Sequence, residues 1–186
     1  MIDETSTLED ICFKVAAALE QFGLSGVLTG GSAAAIYAPN AYASLDADFV
    51  LDGSPRRERL RSALETIGFL PSATAGMFHH PRSRFTIDFP KGPLAVGSDY
   101  VRETDTIERG GIRLRILTPT DCVRDRLAHF LYWSDYTALA TAIAVTKARR
   151  ESVDLGVLKD WVRRESRSGP VGHREKFQLF LERLEH

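Results

Sequence analysis

Between Leu24 and Ala38 the chain reads Leu-Ser-Gly-Val-Leu-Thr-Gly-Gly-Ser-Ala-Ala-Ala-Ile-Tyr-Ala. Few conformations suit that order: a short apolar strand, a sharp Gly30-Gly31 turn, then an alanine-rich helix capped by Ser32. Glycine lets backbone turn tightly and approach a ligand closely. Free amides at the following helix start, at the positive end of the dipole, suit an anionic phosphate. Taken alone, Ser32 is a plain N-cap and the glycines an ordinary tight turn.

The residues downstream change that balance. In Ser-Leu-Asp-Ala-Asp-Phe-Val-Leu (44–51), strand alternation sets Asp46 and Asp48 on one face, with Leu45, Ala47 and Phe49 on the other. In Arg-Phe-Thr-Ile-Asp-Phe (84–89) it sets Arg84, Thr86 and Asp88 on one face of a second strand. If the strands are neighbours, three carboxylates converge. Like charges that close raise one another's pKa unless a cation compensates them. Magnesium, a hard cation that takes one or two carboxylates and leaves positions for water and phosphate, is the natural candidate. The alternative for an isolated Asp-x-Asp is the solvent face of an edge strand.

The order of strand, Gly-Gly-Ser, helix, Asp-x-Asp strand, helix and Asp strand, over residues 24–90, resembles the DNA polymerase β-like nucleotidyltransferase superfamily. The resemblance implies that Gly30, Gly31 and Ser32 hold a nucleoside triphosphate. It implies also that Asp46 and Asp48 bind magnesium, two ions with manganese as a substitute, and that Asp88 joins them and positions or activates the incoming hydroxyl. Within the superfamily, Leu-Thr-Pro-Thr-Asp-Cys-Val-Arg-Asp-Arg-Leu-Ala-His-Phe (117–130) looks like the helix after the core in small bacterial AbiEii-type abortive-infection and toxin–antitoxin proteins. Those relatives carry a lysine where Arg126 stands. Arginine keeps the charge and grips phosphate bidentately, but it is no proton acceptor. Asp135 and Asp154 are weak candidates for the later acidic motif.

On this reading the chain is an α/β protein, a small mixed sheet flanked by helices, with a nucleotidyltransferase core over 1–117 and a helical segment over 118–186 packed on it. Its expected activity is magnesium-dependent transfer of a nucleoside monophosphate to an acceptor hydroxyl or phosphate on tRNA or other RNA, protein or a small molecule. A cognate toxin or antitoxin is a further expected partner. The alternative is a non-catalytic partner that keeps the fold and binds nucleotide or protein without turnover.

Composition narrows the classes. The 186 residues, 44% of them hydrophobic, suffice for a packed core. No stretch approaches the ~20 apolar residues that span a bilayer, and the start lacks signal-peptide character, so a cytoplasmic location without membrane contact is expected. Cys12 and Cys122 are widely separated and read as reduced core thiols. His79 and His80, adjacent on a strand, face opposite sides and share no metal. The net charge of −1 hides an asymmetry: eight acids against one Lys in residues 1–52, nine Lys or Arg against five acids in 147–176. The basic end is a solvated helix face or a surface for RNA or an acidic partner. Leu184 to His186 resemble the start of a purification tag.

Apolar spacing places a helix over 7–22 closed by Gly23. A crossover helix follows Ser54 as N-cap and Pro55 in its first turn, and ends at Gly68. Strands follow at 76–80 and 84–89 around a Pro-Arg-Ser turn, with Asp52 as a turn residue. Residues 90–110 read as a long loop, a possible substrate flap, with Lys91 as an exposed lysine within reach of a phosphate. A strand at 112–116 sets Arg113 and Arg115 toward solvent or a nucleotide rim. Thr118-Pro119 opens a helix on which Arg126, His129 and Trp133 form one stripe. That stripe either holds a base and its phosphates or is a helix edge where Trp133 packs and Arg126 pairs with Asp125 or Asp121. Ser134 caps the next helix, and amphipathic helices fill 150–183 with a break at 168–170.

Overall fold

The computed structural model describes residues 2–169 and 171–185; His186 lies outside them, so the expectation for the last three residues is addressed only as far as Glu185. Helix α1 (Leu8–Gln21) is nucleated by a reciprocal capping box between Thr7 and Asp10 and buries Ile11, Cys12, Phe13, Val15, Ala18 and Leu19. Strand β1 (Gly26–Thr29) runs directly into α2 (Gly30–Tyr37), and β2 (Asp46–Leu51) returns beside it. Helix α3 (Arg57–Glu65) leads to β3 (Leu70–Pro71), β4 (Met77–His79) and β5 (Thr86–Asp88). A hairpin of β6 (Ala95–Val96) and β7 (Asp99–Tyr100) precedes a longer one of β8 (Thr104–Arg109) and β9 (Ile112–Leu117). Four helices complete the chain: α4 (Pro119–Trp133), α5 (Tyr136–Ala148), α6 (Leu155–Ser168) and α7 (His173–Glu185).

Seven strands form one mixed sheet in the order β3-β4-β5-β2-β1-β9-β8. Strand β2 pairs antiparallel with β1 and parallel with β5, so α3 lies in the crossover between two parallel neighbours, as the sequence predicts. Strand β1 also pairs in parallel with β9. The central strands bury Val27, Leu28, Ala47, Phe49, Ile87, Leu114 and Ile116 in a core that both cysteines share. Their alternation leaves the other face of β2 and β5 to carboxylates and Thr86.

Several local expectations are corrected. Ser32 is no N-cap: α2 begins at Gly30, with Thr29 in the capping position and no side-chain cap. Neither Ser54 nor Pro55 opens α3, which starts at Arg57 behind an uncapped Arg56. Residues 90–110 are not one loop but contain β6, β7 and β8. Ser134 ends α4 in a left-handed conformation, and Asp135 caps α5 through Thr137 and Ala138. Asp154 likewise caps α6 through Gly156 and Val157. Both weak candidates for a late acidic motif are thus helix caps, far better explained by orphan amides than by metal.

Candidate functional site

The β2–β5 register decides how the three acids stand. Asp46 lies opposite Thr86 and Asp48 opposite Asp88 in the parallel ladder, so all three side chains leave the sheet on the same face. Thr86 Oγ1 donates to Asp46 Oδ1 at 2.5 Å. Asp48 is half-buried, and its carboxyl is pushed up to about 6, chiefly by burial, then by the facing Asp88 and by Asp46, against the pull of Arg126. Among the described residues, no group of three or more His, Cys, Asp or Glu side chains is drawn together tightly enough to hold an ion by itself.

The glycine turn meets these acids directly. Gly30 has φ +65°, and a Cβ there would collide with the Asp48 carboxylate. Gly31 faces Tyr42 and Ser44, whose Oη and Oγ would lie 2.9 and 3.4 Å from an added Cβ. Ser32 is fully buried beneath them. Its Oγ donates to Thr29 O at 2.8 Å and accepts from Asp48 N at 3.1 Å. The hydroxyl expected to meet a phosphate is therefore engaged inside the protein, where it staples the end of β1, the start of α2 and the acid strand together.

A cleft of about 450 Å³ opens over this junction, lined among others by Gly30, Gly31, Asp46, Asp48, Lys91 and Arg126. Its far wall is α4, which contributes Asp125, Arg126 and His129, and its rim is the Pro93–Val96 segment. Arg126 Nε and Nη2 donate to Asp125 Oδ2 at 3.0 and 2.6 Å. Burial works against the Arg126 charge, but Asp125 outweighs it and keeps the guanidinium protonated. This is the pairing the sequence offered as the alternative for Arg126, and yet the side chain still faces the cleft. Trp133 does not pack as that alternative requires: it is 71% exposed. Asp88 stands level with Asp48 on the neighbouring strand but does not line the cleft.

Asp52 and Arg115 play no part here. Arg115 pairs with Asp52 and donates to Ser25 Oγ at 2.8 Å, joining β9 to the ends of β1 and β2. Sequence reasoning missed Tyr42, Ser44 and Asp125 as cleft walls, whereas the 90–110 segment read as a substrate flap does contribute Lys91 and Pro93 to Val96 to the lining. Asp125 carried a signal, since it precedes Arg126 on the helix read as facing the site.

No family model and no curated protein matches the chain. Solved structures do. An antigenic nucleotidyltransferase-like protein from Paracoccidioides brasiliensis superposes with a TM-score of 0.61 at 14% identity, covering 78% of each chain. The chain has a nucleotidyltransferase-like fold. The antibiotic-resistance factor ANT(2'')-Ia, known from its solution structure, shares this nucleotidyltransferase-like fold with a TM-score of 0.52 at 17% identity, over 83% of this chain and 90% of that one. Among the described residues, no helix is long and apolar enough to cross a membrane.

Proposed function

We propose that the chain is a nucleotidyltransferase that moves a nucleoside monophosphate from a nucleoside triphosphate to an acceptor hydroxyl or phosphate. The observation that carries this reading is the meeting of Asp48, in register with Asp88, with a left-handed Gly30 at the head of α2. The opening amides of α2 and the Arg126 guanidinium receive the triphosphate, and Gly30 and Gly31 allow it to approach the backbone. Ser32 serves this by holding the turn against β2. Asp46 and Asp48, hard oxygen donors on one face, would hold magnesium, with Asp88 beside them; manganese fits the same donors. When bound, magnesium neutralises the acids and the charge that develops on the phosphates.

Asp88, outside the cleft lining but level with Asp48 on the neighbouring strand, would orient an acceptor hydroxyl that approaches from its side of the acid pair. The acceptor oxygen bonds to the α-phosphorus as the bond to the bridging oxygen breaks, pyrophosphate departs, and the hydroxyl proton passes to a carboxylate or to water. The protein contributes position and charge neutralisation, with no covalent step of its own. The AbiEii-type resemblance of 117–130 suggests a place in a toxin–antitoxin pair with a tRNA or protein acceptor. A small-molecule acceptor fits the same chemistry.

Asp46→Asn with Asp48→Asn tests the site. Isothermal titration of ATP with magnesium should show binding to the parent and at least a tenfold loss in the double variant, with unchanged circular dichroism. Equal binding by both would remove the acids from the site. One observation favours the second reading, a fold-retaining partner without turnover: Asp125 occupies the guanidinium that would otherwise grip phosphate. Incubation with radiolabelled triphosphates, magnesium and cell extract separates the two. Label in RNA, protein or a small molecule supports transfer, and label nowhere supports the partner.

A further inference from the structure

An indole left in water at the end of a buried helix needs a reason, because large aromatic side chains gain most from burial. Trp133 is 71% exposed and yet held in place. The His129 ring lies against it at 5.2 Å and the Tyr132 ring at 5.9 Å. The backbone behind it is locked by left-handed Ser134, whose N–H donates to Phe130 O at 2.9 Å. Both neighbouring rings meet the indole at a tilt, 57° and 46°, and most of its surface is open.

The support is also part of the cleft, since His129 lines it together with Arg126. Arg126, His129 and Trp133 follow at three- and four-residue spacing, so they stand on one helix face along roughly 10 Å of rise. That face is cationic at one end and aromatic at the other. A ligand with a polyphosphate at one end and a planar ring at the other matches it in both chemistry and order. Burial and the neighbouring Arg126 hold the His129 pKa down, which keeps the imidazole a neutral ring against the indole.

We propose that Trp133, backed by His129, is the stacking platform for the base of the incoming nucleoside triphosphate. This rests on the nucleotidyl-transfer reading and extends it from the phosphates to the base. Every nucleobase presents a π-face, so the platform accepts all four, the larger purines most tightly.

The two tryptophans give the test its readout. Trp161 is fully buried, so acrylamide reaches Trp133 alone. With magnesium present, ATP should quench the emission of the full chain and shield it from acrylamide. Trp133→Ala should lose about tenfold or more in ATP affinity by titration calorimetry, Trp133→Phe should keep most of it, and inorganic tripolyphosphate should bind the parent and both variants alike. ATP binding that is equal in parent and Trp133→Ala, with acrylamide access unchanged, overturns the platform and leaves the functional reading standing. Equal losses for ATP and tripolyphosphate overturn it too, by showing a general loss of the site. No ATP binding by the parent overturns both.

Discussion

Gly30 and Asp48 define each other's place. The glycine must take φ +65° so that β1 can turn into α2 without a residue between them, and the missing Cβ is the space that the Asp48 carboxylate fills. Gly30→Ala therefore meets two penalties, a left-handed backbone at about 1–2 kcal/mol and a collision with the acid. Urea denaturation should show a loss of at least about 2 kcal/mol. Adding Asp48→Ala should recover the collision but not the backbone strain, so the two substitutions should be clearly non-additive; full additivity would show that the carboxylate moves aside freely. At this scale the acids were legible because a strand's period of two leaves no freedom: fixing Asp46 on a face fixes Asp48. Ser32 was not, because a cap is defined by where the helix begins, and a glycine that can adopt left-handed φ moved that start by three residues.

The β6–β7 hairpin is the element that composition alone conceals. Its strands have two residues each, too short for any periodicity, and its anchor lies far along the chain. Buried Glu165 on α6 accepts from Ser98 N at 3.0 Å and Ser98 Oγ at 2.5 Å, and from the Tyr132 hydroxyl. Asp99 accepts from Arg124 and Arg164 at 3.2 and 2.6 Å. These bonds fix the outer side of a segment whose inner side walls the cleft through Ala95 and Val96. Glu165→Ala leaves the Ser98 amide and the Tyr132 hydroxyl without their acceptor, a local cost of about 1–3 kcal/mol. Hydrogen exchange at the Val96–Val101 amides should quicken while the β1 and β2 amides keep their protection; unchanged exchange in the hairpin would mean that Asp99 and its arginines suffice. The start of α4 was legible because Thr118 directly precedes Pro119, and that of α1 to within one residue from apolar spacing, while the start of α5 was misplaced because two adjacent residues compete, Ser134 and Asp135. There the first takes the left-handed close of one helix and the second caps the next.

For the molecule as a whole, β1, β2, β4, β5, β9 and the crossover were legible in the sequence, but β3, β6, β7, β8 and the order of the sheet were not. That β9 returns to lie parallel to β1, on the side away from β2, follows from the burial of Leu114 and Ile116 and has no signal in local pattern. The same holds for what closes the helical side. His173 at the start of α7 has no signal in the sequence pattern, yet it is buried with its ring 4.8 Å from Tyr132, and neither nitrogen has a hydrogen-bond partner among the described residues. Burial pulls its pKa below the ordinary 6.5, Lys176 adds to the effect, and Glu165 opposes it. His80 and His129 are shifted in the same direction by their own burial. As pH falls through 6.5 the unfolded chain gains protons that the folded histidines resist, so their contribution is complete above that pH and is lost below it. Asp48, with its raised pKa, works the other way, losing stability as pH rises through about 6. The comparison that isolates His173 is therefore parent against His173→Phe, which keeps a ring beside Tyr132 and removes the titration. Thermal midpoints measured from pH 7.5 to 5.5 should fall more steeply for the parent than for the variant. Parallel curves would mean that the imidazole reaches water in the folded protein, and that α7 does not seal the core against α4.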